Sequence, residues 1–153
     1  MTPVPITDFL SVMEQLIKLH NRLFDRLAQQ FSLSHTEIQL ILFLSSHPGR
    51  RIAQDIVRLR LLSKASVSRA VESLRKKGYL DCQTSETDRR SVQLTLSPKA
   101  QDVLQENRRL QQEMLSALLQ DVPAEDYQTM MSVIERMNRN AARLLAVKPF
   151  NGV

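Results

Sequence analysis

Between Ser63 and Leu96 the apolar residues change their spacing, and few folds accommodate that change within so short a stretch. Val67, Ala70, Val71 and Leu74 recur in steps of three and four, which places them on one side of a helix running from Lys64 to about Lys77. Ser63 stands before it as a candidate N-cap, and Gly78 stands where helices turn off into left-handed backbone. Directly afterwards Tyr79–Gln83 (YLDCQ) and Ser91–Leu96 (SVQLTL) alternate with period two. Leu80 and Cys82 share one face of the first, and Val92, Leu94 and Leu96 the inner face of the second. The polar loop between them, with Asp88, Arg89 and Arg90, then closes a β-hairpin.

The residues before this unit are helical. Phe9, Val12, Met13, Leu16, Leu19, Leu23, Phe24, Leu27 and Phe31 form one stripe of a long first helix, started by Pro5 and Thr7. Ser34–Glu37 (SHTE) reads as a capping box, and the following IQLILFL is apolar nearly all round, so this second helix is expected to be fully buried. Pro48–Gly49 ends it in a turn, and a short helix over Ile52–Leu59 precedes Ser63. Two short helices with a brief connection form a helix-turn-helix, and a hairpin directly behind one is a wing.

After the hairpin, Ser97 and Pro98 are expected to open another helix as N-cap and first helical residue, running to about Gln120. Its stripe is Ala100, Val103, Leu104, Met114, Leu115 and Leu118, interrupted midway by Asn107 and Gln111. A last helix carries Tyr127, Met130, Met131, Ile134, Met137, Ala141, Leu144 and Leu145. The fold class is therefore mainly α with a small β-hairpin wing: a winged helix-turn-helix over residues 34–97, flanked by helices over 1–33 and 98–153. The terminal stripes exceed what a small module can cover, so a homodimer built by these helices is expected; a monomeric bundle folded back on the module is the alternative.

Charge is concentrated in the same central unit. Residues 50–90 hold 11 Lys and Arg against 5 acids, a net of +6, while the rest of the chain holds 10 against 11. Such a block is the electrostatic footprint expected of a nucleic-acid-binding module. With Val67, Val71 and Leu74 inward, the outward arc of the helix is Ala65, Ser66, Ser68, Arg69, Glu72 and Lys76. Small residues let the backbone approach DNA, Arg69 could donate a bidentate pair to guanine, and Ser63, Lys64, Ser66 and Ser68 could contact bases or phosphates at the positive end of the helix dipole. Charge on an outward face is also what any amphipathic helix needs to stay soluble. In the loop, an arginine could enter the minor groove with Asp88 holding its side chain. An exposed ion pair worth roughly 0–1 kcal/mol is the alternative, and spacing does not choose between Arg89 and Arg90.

In this order the segments resemble the MarR family (multiple antibiotic resistance regulator) of bacterial winged helix-turn-helix transcription factors. LSHTEIQLILFL is similar to the family's second helix, LLSKASVSRAVESLRKKGYL to its recognition helix, and TDRRSVQLTLSPKA to its wing signature. Asp88 and Arg90 take the D-x-R positions and Leu94–Thr95 the L-T positions. The glycine that commonly follows is replaced by Lys99–Ala100. The resemblance implies a homodimer on a roughly palindromic operator of double-stranded DNA, usually a repressor, with Arg90 entering the minor groove and Asp88 positioning it. It also implies a small phenolic or anionic effector, bound between the dimer helices and the DNA-binding lobe.

Other classes find little support. No nucleophile–base pair, phosphate-cradling glycine loop or carboxylate pair suggests an enzyme, and nothing calls for a cofactor. His20, His35 and His47 show no metal-ligand spacing with one another or with Cys82. Peroxide-sensing relatives carry a cysteine in the first helix; this chain has none there, and Cys82 is expected to be a buried structural thiol. A single cysteine, the absence of a membrane-length apolar run and an N-terminus unlike a signal peptide lead to the expectation of a cytoplasmic protein. The competing reading is a winged-helix adaptor that binds a protein rather than DNA, prompted by the methionines of the last helix.

Overall fold

The computed structural model describes residues 5–47, 63–84 and 92–146. Its elements are α1 (Ile6–Phe31), α2 (His35–Ser46), α3 (Lys64–Lys76), β1 (Leu80–Thr84), β2 (Val92–Leu96), α4 (Ala100–Leu118) and α5 (Ala124–Ala146). It is mainly α with one small antiparallel hairpin. The expected turn at Pro48–Gly49, the short helix over Ile52–Leu59, and Asp88, Arg89 and Arg90 lie outside the described residues, as does the side chain of Cys82. The chain forms two compact units, Met1–Gln111 and Gln112–Val153.

The core of the first unit comes from every element within it. Leu23, Phe24 and Leu27 of α1 are buried, with Ile38, Leu40, Ile41, Phe43 and Leu44 of α2, Val67, Ala70 and Leu74 of α3, and Ala100, Val103, Leu104 and Leu110 of α4. Each large side chain removed from water this way contributes about 1.5–3 kcal/mol. The division of units differs from the functional division drawn above because the second half of α1 and the first half of α4 help build this core. Asn107 is also buried, and its Oδ1 accepts no hydrogen bond among the described residues. That leaves a desolvated acceptor at a cost of about 1–3 kcal/mol.

The hairpin pairs Leu80 with Leu96, Cys82 with Leu94 and Thr84 with Val92, so these positions share one face of the ladder. Leu80 and Leu94 are buried on it. Its strands lie within a residue of the expected spans, and Tyr79 is buried just before β1.

The expected start of α4 needs correction. The helix begins at Ala100, not Pro98. The Ser97 hydroxyl donates to the Gly78 carbonyl at 2.6 Å and its backbone N–H to the Tyr79 carbonyl at 3.0 Å. Ser97 is thus committed to the base of the hairpin. Ala100 and Gln101 donate to the carbonyls of Ser97 and Pro98, making a turn before the helix. Similarly, α1 begins at Ile6 with Pro5 as an N-cap that offers no side-chain acceptor, and Thr7 lies inside the helix.

In the second unit α5 buries no residue along its whole length. Met130, Met131, Val133, Ile134, Met137 and Leu144 are exposed, and Leu145 is 86% exposed. Leu115 and Leu118 near the end of α4 are exposed too.

Candidate nucleic-acid interface

Helix α3 is held at both ends by local chemistry. The Ser63 hydroxyl accepts from the Ser66 N–H at 3.1 Å and lies 2.8 Å from the Ser66 hydroxyl, so the cap expected at this position is formed. At the other end Gly78 has φ +78°, its N–H donates to the Arg75 carbonyl, and the Tyr79 N–H reaches back to the Leu74 carbonyl at 2.9 Å. This is a Schellman motif, with Leu74 and Tyr79 both buried beside it. A side chain at 78 would meet open space, so the left-handed backbone is what glycine is there for.

Between these ends Val67, Ala70 and Leu74 are buried and Val71 is half-buried, which fixes the outward face. Lys64, Ala65, Ser68, Arg69 and Lys76 are exposed, and Ser66 is half-buried by its contact with Ser63. Among the described residues no acid pairs with Arg69. Lys76 lies 3.4 Å from Glu72, which also takes two hydrogen bonds from Arg75 at 3.1 and 3.3 Å. The hydrogen bond and charge of Arg75, with help from Lys76, hold the Glu72 carboxyl below its ordinary value. A shallow groove lined by Ser68, Arg69, Glu72, Ser73 and Lys76 follows this face. A second groove joins Arg69, Ser66 and Ser73 to Ser34 and Thr36 at the start of α2.

Two lysines, Lys77 of the basic block and Lys99 beyond it, do something else. Lys77 Nζ donates to both Glu37 carboxylate oxygens, at 3.0 and 3.1 Å, and to the Ser32 carbonyl at 2.9 Å. Glu37 completes the expected capping box of α2, accepting from the Ser34 N–H at 2.6 Å while its own N–H donates to the Ser34 hydroxyl. One ammonium thus joins the end of α1, the start of α2 and the end of α3. The Glu37 side chain is only 4% exposed. Burial pushes its pKa up, but hydrogen bonds from the Ser73 side chain, the Ser34 N–H and Lys77 outweigh this and leave it lowered. Lys99 Nζ in turn donates to the Lys77 carbonyl at 2.8 Å and sits 4.5 Å over the Tyr79 ring. In the charge pattern of the chain Lys77 is one more surface cation. Its role depends on Ser32 and Glu37, which lie 45 and 40 residues away, so spacing carries no sign of it.

Residues 31–91 match the sequence profile of the MarR family, a span that includes α2, α3 and the loop with Asp88 and Arg90. The matched segment is about two fifths of the chain, and over it the chain is similar to the MarR family. The family's fold extends over the rest of the chain. A MarR protein from Peptoclostridium difficile is 18% identical, with 92% of this chain and 91% of that one covered and a TM-score of 0.74. Staphylococcus aureus MarR in complex with salicylate and kanamycin is 14% identical, with 90% and 92% covered and a TM-score of 0.76. A mutant of S. aureus MepR bound to an oligodeoxyribonucleotide is 14% identical, with 91% and 99% covered and a TM-score of 0.60. Among the described residues no helix is long and apolar enough to cross a membrane, and no group of three His, Cys, Asp or Glu could hold a metal ion.

Proposed function

We propose that this chain is a MarR-family regulator, a cytoplasmic homodimeric repressor that reads a pseudo-palindromic operator and leaves it on binding a small phenolic or anionic ligand. The observation that carries the DNA reading is the outward face of α3. A capped helix presents Ala65, Ser68 and Arg69 together, with small side chains around one cation to which no described acid is paired. In a major groove Arg69 would donate two guanidinium N–H groups to guanine O6 and N7, with Ser63, Lys64, Ser66, Ser68 and Lys76 along the neighbouring bases and phosphates. Asp88, Arg89 and Arg90 would serve the wing, Arg90 in the minor groove and Asp88 as its positioner. The MepR relative in complex with an oligodeoxyribonucleotide supports DNA as the partner, and the salicylate complex supports a small anionic phenol as effector class.

The homodimer is supported by the apolar faces that the single chain leaves in water: Leu10, Val12, Leu16 and Ile17 in the first unit, and the α5 stripe in the second. Apolar surface of that extent marks an interaction site. The α5 methionines also favour a second reading, a protein-binding adaptor. Binding to the chain's own upstream DNA, compared with random duplex at physiological salt, separates the two. We expect selective binding, weakened about 5- to 150-fold in Arg69→Ala, since a bidentate pair to guanine discriminates by ~1–3 kcal/mol. In Arg90→Ala the salt slope should fall by about one unit. No preference for any DNA, with salt-insensitive binding to a protein, would replace this reading by the adaptor.

A further inference from the structure

Ala65, Arg69, Glu72 and Lys76 follow one another in steps of four, three and four, so they form one stripe. It lies opposite Val67, Ala70 and Leu74, which are buried. Glu72 is therefore at the centre of the face on which Arg69 stands, not on its flank, and both residues line the same shallow groove. A carboxylate in that position is an unfavourable choice for a helix that meets a polyanion. Arg75 and Lys76 hold it ionised, and by pairing with it they are themselves drawn toward the centre of the face.

Resting on the DNA reading above, we infer that Glu72 is a specificity-determining residue, accepting from the N4 amino group of a cytosine beside the guanine read by Arg69. An ionised carboxylate has only acceptors, and most of what a major groove presents is also acceptor: N7 and O6 of guanine, N7 of adenine, O4 of thymine. Cytosine N4 is the donor that Glu and Asp take there. Every duplex meets the repulsion of Glu72, and a duplex with cytosine at that position recovers a charge-assisted hydrogen bond. The carboxylate also occupies Arg75, a cation that would otherwise neutralise phosphate on any sequence, and holds Lys76 beside it on the face. Glu72 thus lowers affinity for unrelated DNA more than for the cognate site, which widens the ratio between them. Residues three apart on a helix are neighbours at roughly 5–6 Å between Cβ atoms, close enough for Arg69 and Glu72 to address the same or adjacent base pairs.

The test uses the full-length protein and Glu72→Gln, each taken through selection from a randomised duplex library. Affinities are then measured for the wild-type-selected duplex, for the same duplex with the cytosine replaced, and for a random duplex. The wild type should fix a cytosine in each half-site and lose about tenfold or more when it is replaced. Glu72→Gln should keep the guanine preference but move toward adenine at the cytosine position, because an amide pairs with adenine N6 and N7. It should also bind random duplex more tightly, with a salt slope steeper by up to about 0.9 for each cation released to phosphate. Glu72→Ala should lose the cytosine preference without gaining adenine. If both variants select the wild-type consensus, with all affinities scaled together, Glu72 is only a local ion-pair partner and the inference is wrong. A wild-type consensus without cytosine there also overturns it while leaving the DNA reading intact. A wild type that selects no sequence removes both.

Discussion

The two ends of α1 obey the same pattern and meet opposite fates. Leu23, Phe24 and Leu27 are buried against the lobe, whereas Leu10, Val12, Leu16 and Ile17, on the same helix, are exposed. The contrast repeats between the two compact units. In Met1–Gln111, α2 and α3 close a core in which Leu27, Ile38, Ile41, Leu74 and Val103 are fully buried. In Gln112–Val153, α5 carries a stripe of comparable apolarity and buries none of it. An amphipathic period therefore specifies a helix and a face, but not what lies against that face.

The largest expected effect sharpens the first half of the contrast. Leu74→Ala leaves a cavity beside the Schellman turn and should cost about 2–5 kcal/mol in urea unfolding. Leu145→Ala should cost almost nothing in the monomer, as its side chain already meets water. The second prediction tries to break the other half. Ile134→Asp places a charge on the α5 face, and if that face is covered by a second copy the dimer dissociation constant should rise at least about a hundredfold, ~2.7 kcal/mol. Sedimentation at several concentrations reads this directly. An unchanged association state would mean that α5 faces solvent, and the homodimer would lose its support.

The third prediction concerns a polar contact that the lobe has and α5 lacks. Lys77→Met leaves the buried Glu37 carboxylate without its cation and should cost about 1–3 kcal/mol at neutral pH. The pH dependence follows from the sign of the Glu37 shift. Its folded pKa is lowered from the ordinary value of 4.5, so its contribution is present above that value and disappears as pH falls through the folded pKa. Wild-type stability should drop along that acid limb. In Lys77→Met the lowering is weakened and the limb should be shallower, as followed by thermal melts between neutral pH and about pH 3. Identical pH profiles would show that Lys77 does not hold the charge on Glu37.

Features written in local chemistry are legible in the amino-acid sequence alone. Ser34 and Glu37 are three residues apart and cap each other; Ser63 caps α3; Gly78 takes the left-handed turn that ends it. The hairpin's alternation specifies which side of each strand faces inward, because a one-residue slip of either strand would separate Leu80 from Leu94 and Leu96. The start of α4 is not legible in this way, because Ser97 has two uses for its hydroxyl. A helix cap is the local one, and the Gly78 carbonyl, 19 residues away, is the one taken. The candidate DNA face divides the same way. That Ala65, Ser68, Arg69 and Lys76 look outward follows from the period of α3, whereas the joining of Arg69 to Ser34 and Thr36 in one groove requires the packing of α3 on α2.

By itself the sequence determined where most helices start and stop, which side of each is apolar, and that basic charge gathers around α3 and the hairpin, because these depend on residues within a turn or two of one another. Only the tertiary structure decided what each charge does. Lys77 and Arg69 carry the same charge eight positions apart, yet one is bound to Glu37 and Ser32 while the other stands on the open face of α3. A charge's role is set by the groups that folding brings within about 3 Å of it, and those groups come from distant parts of the chain.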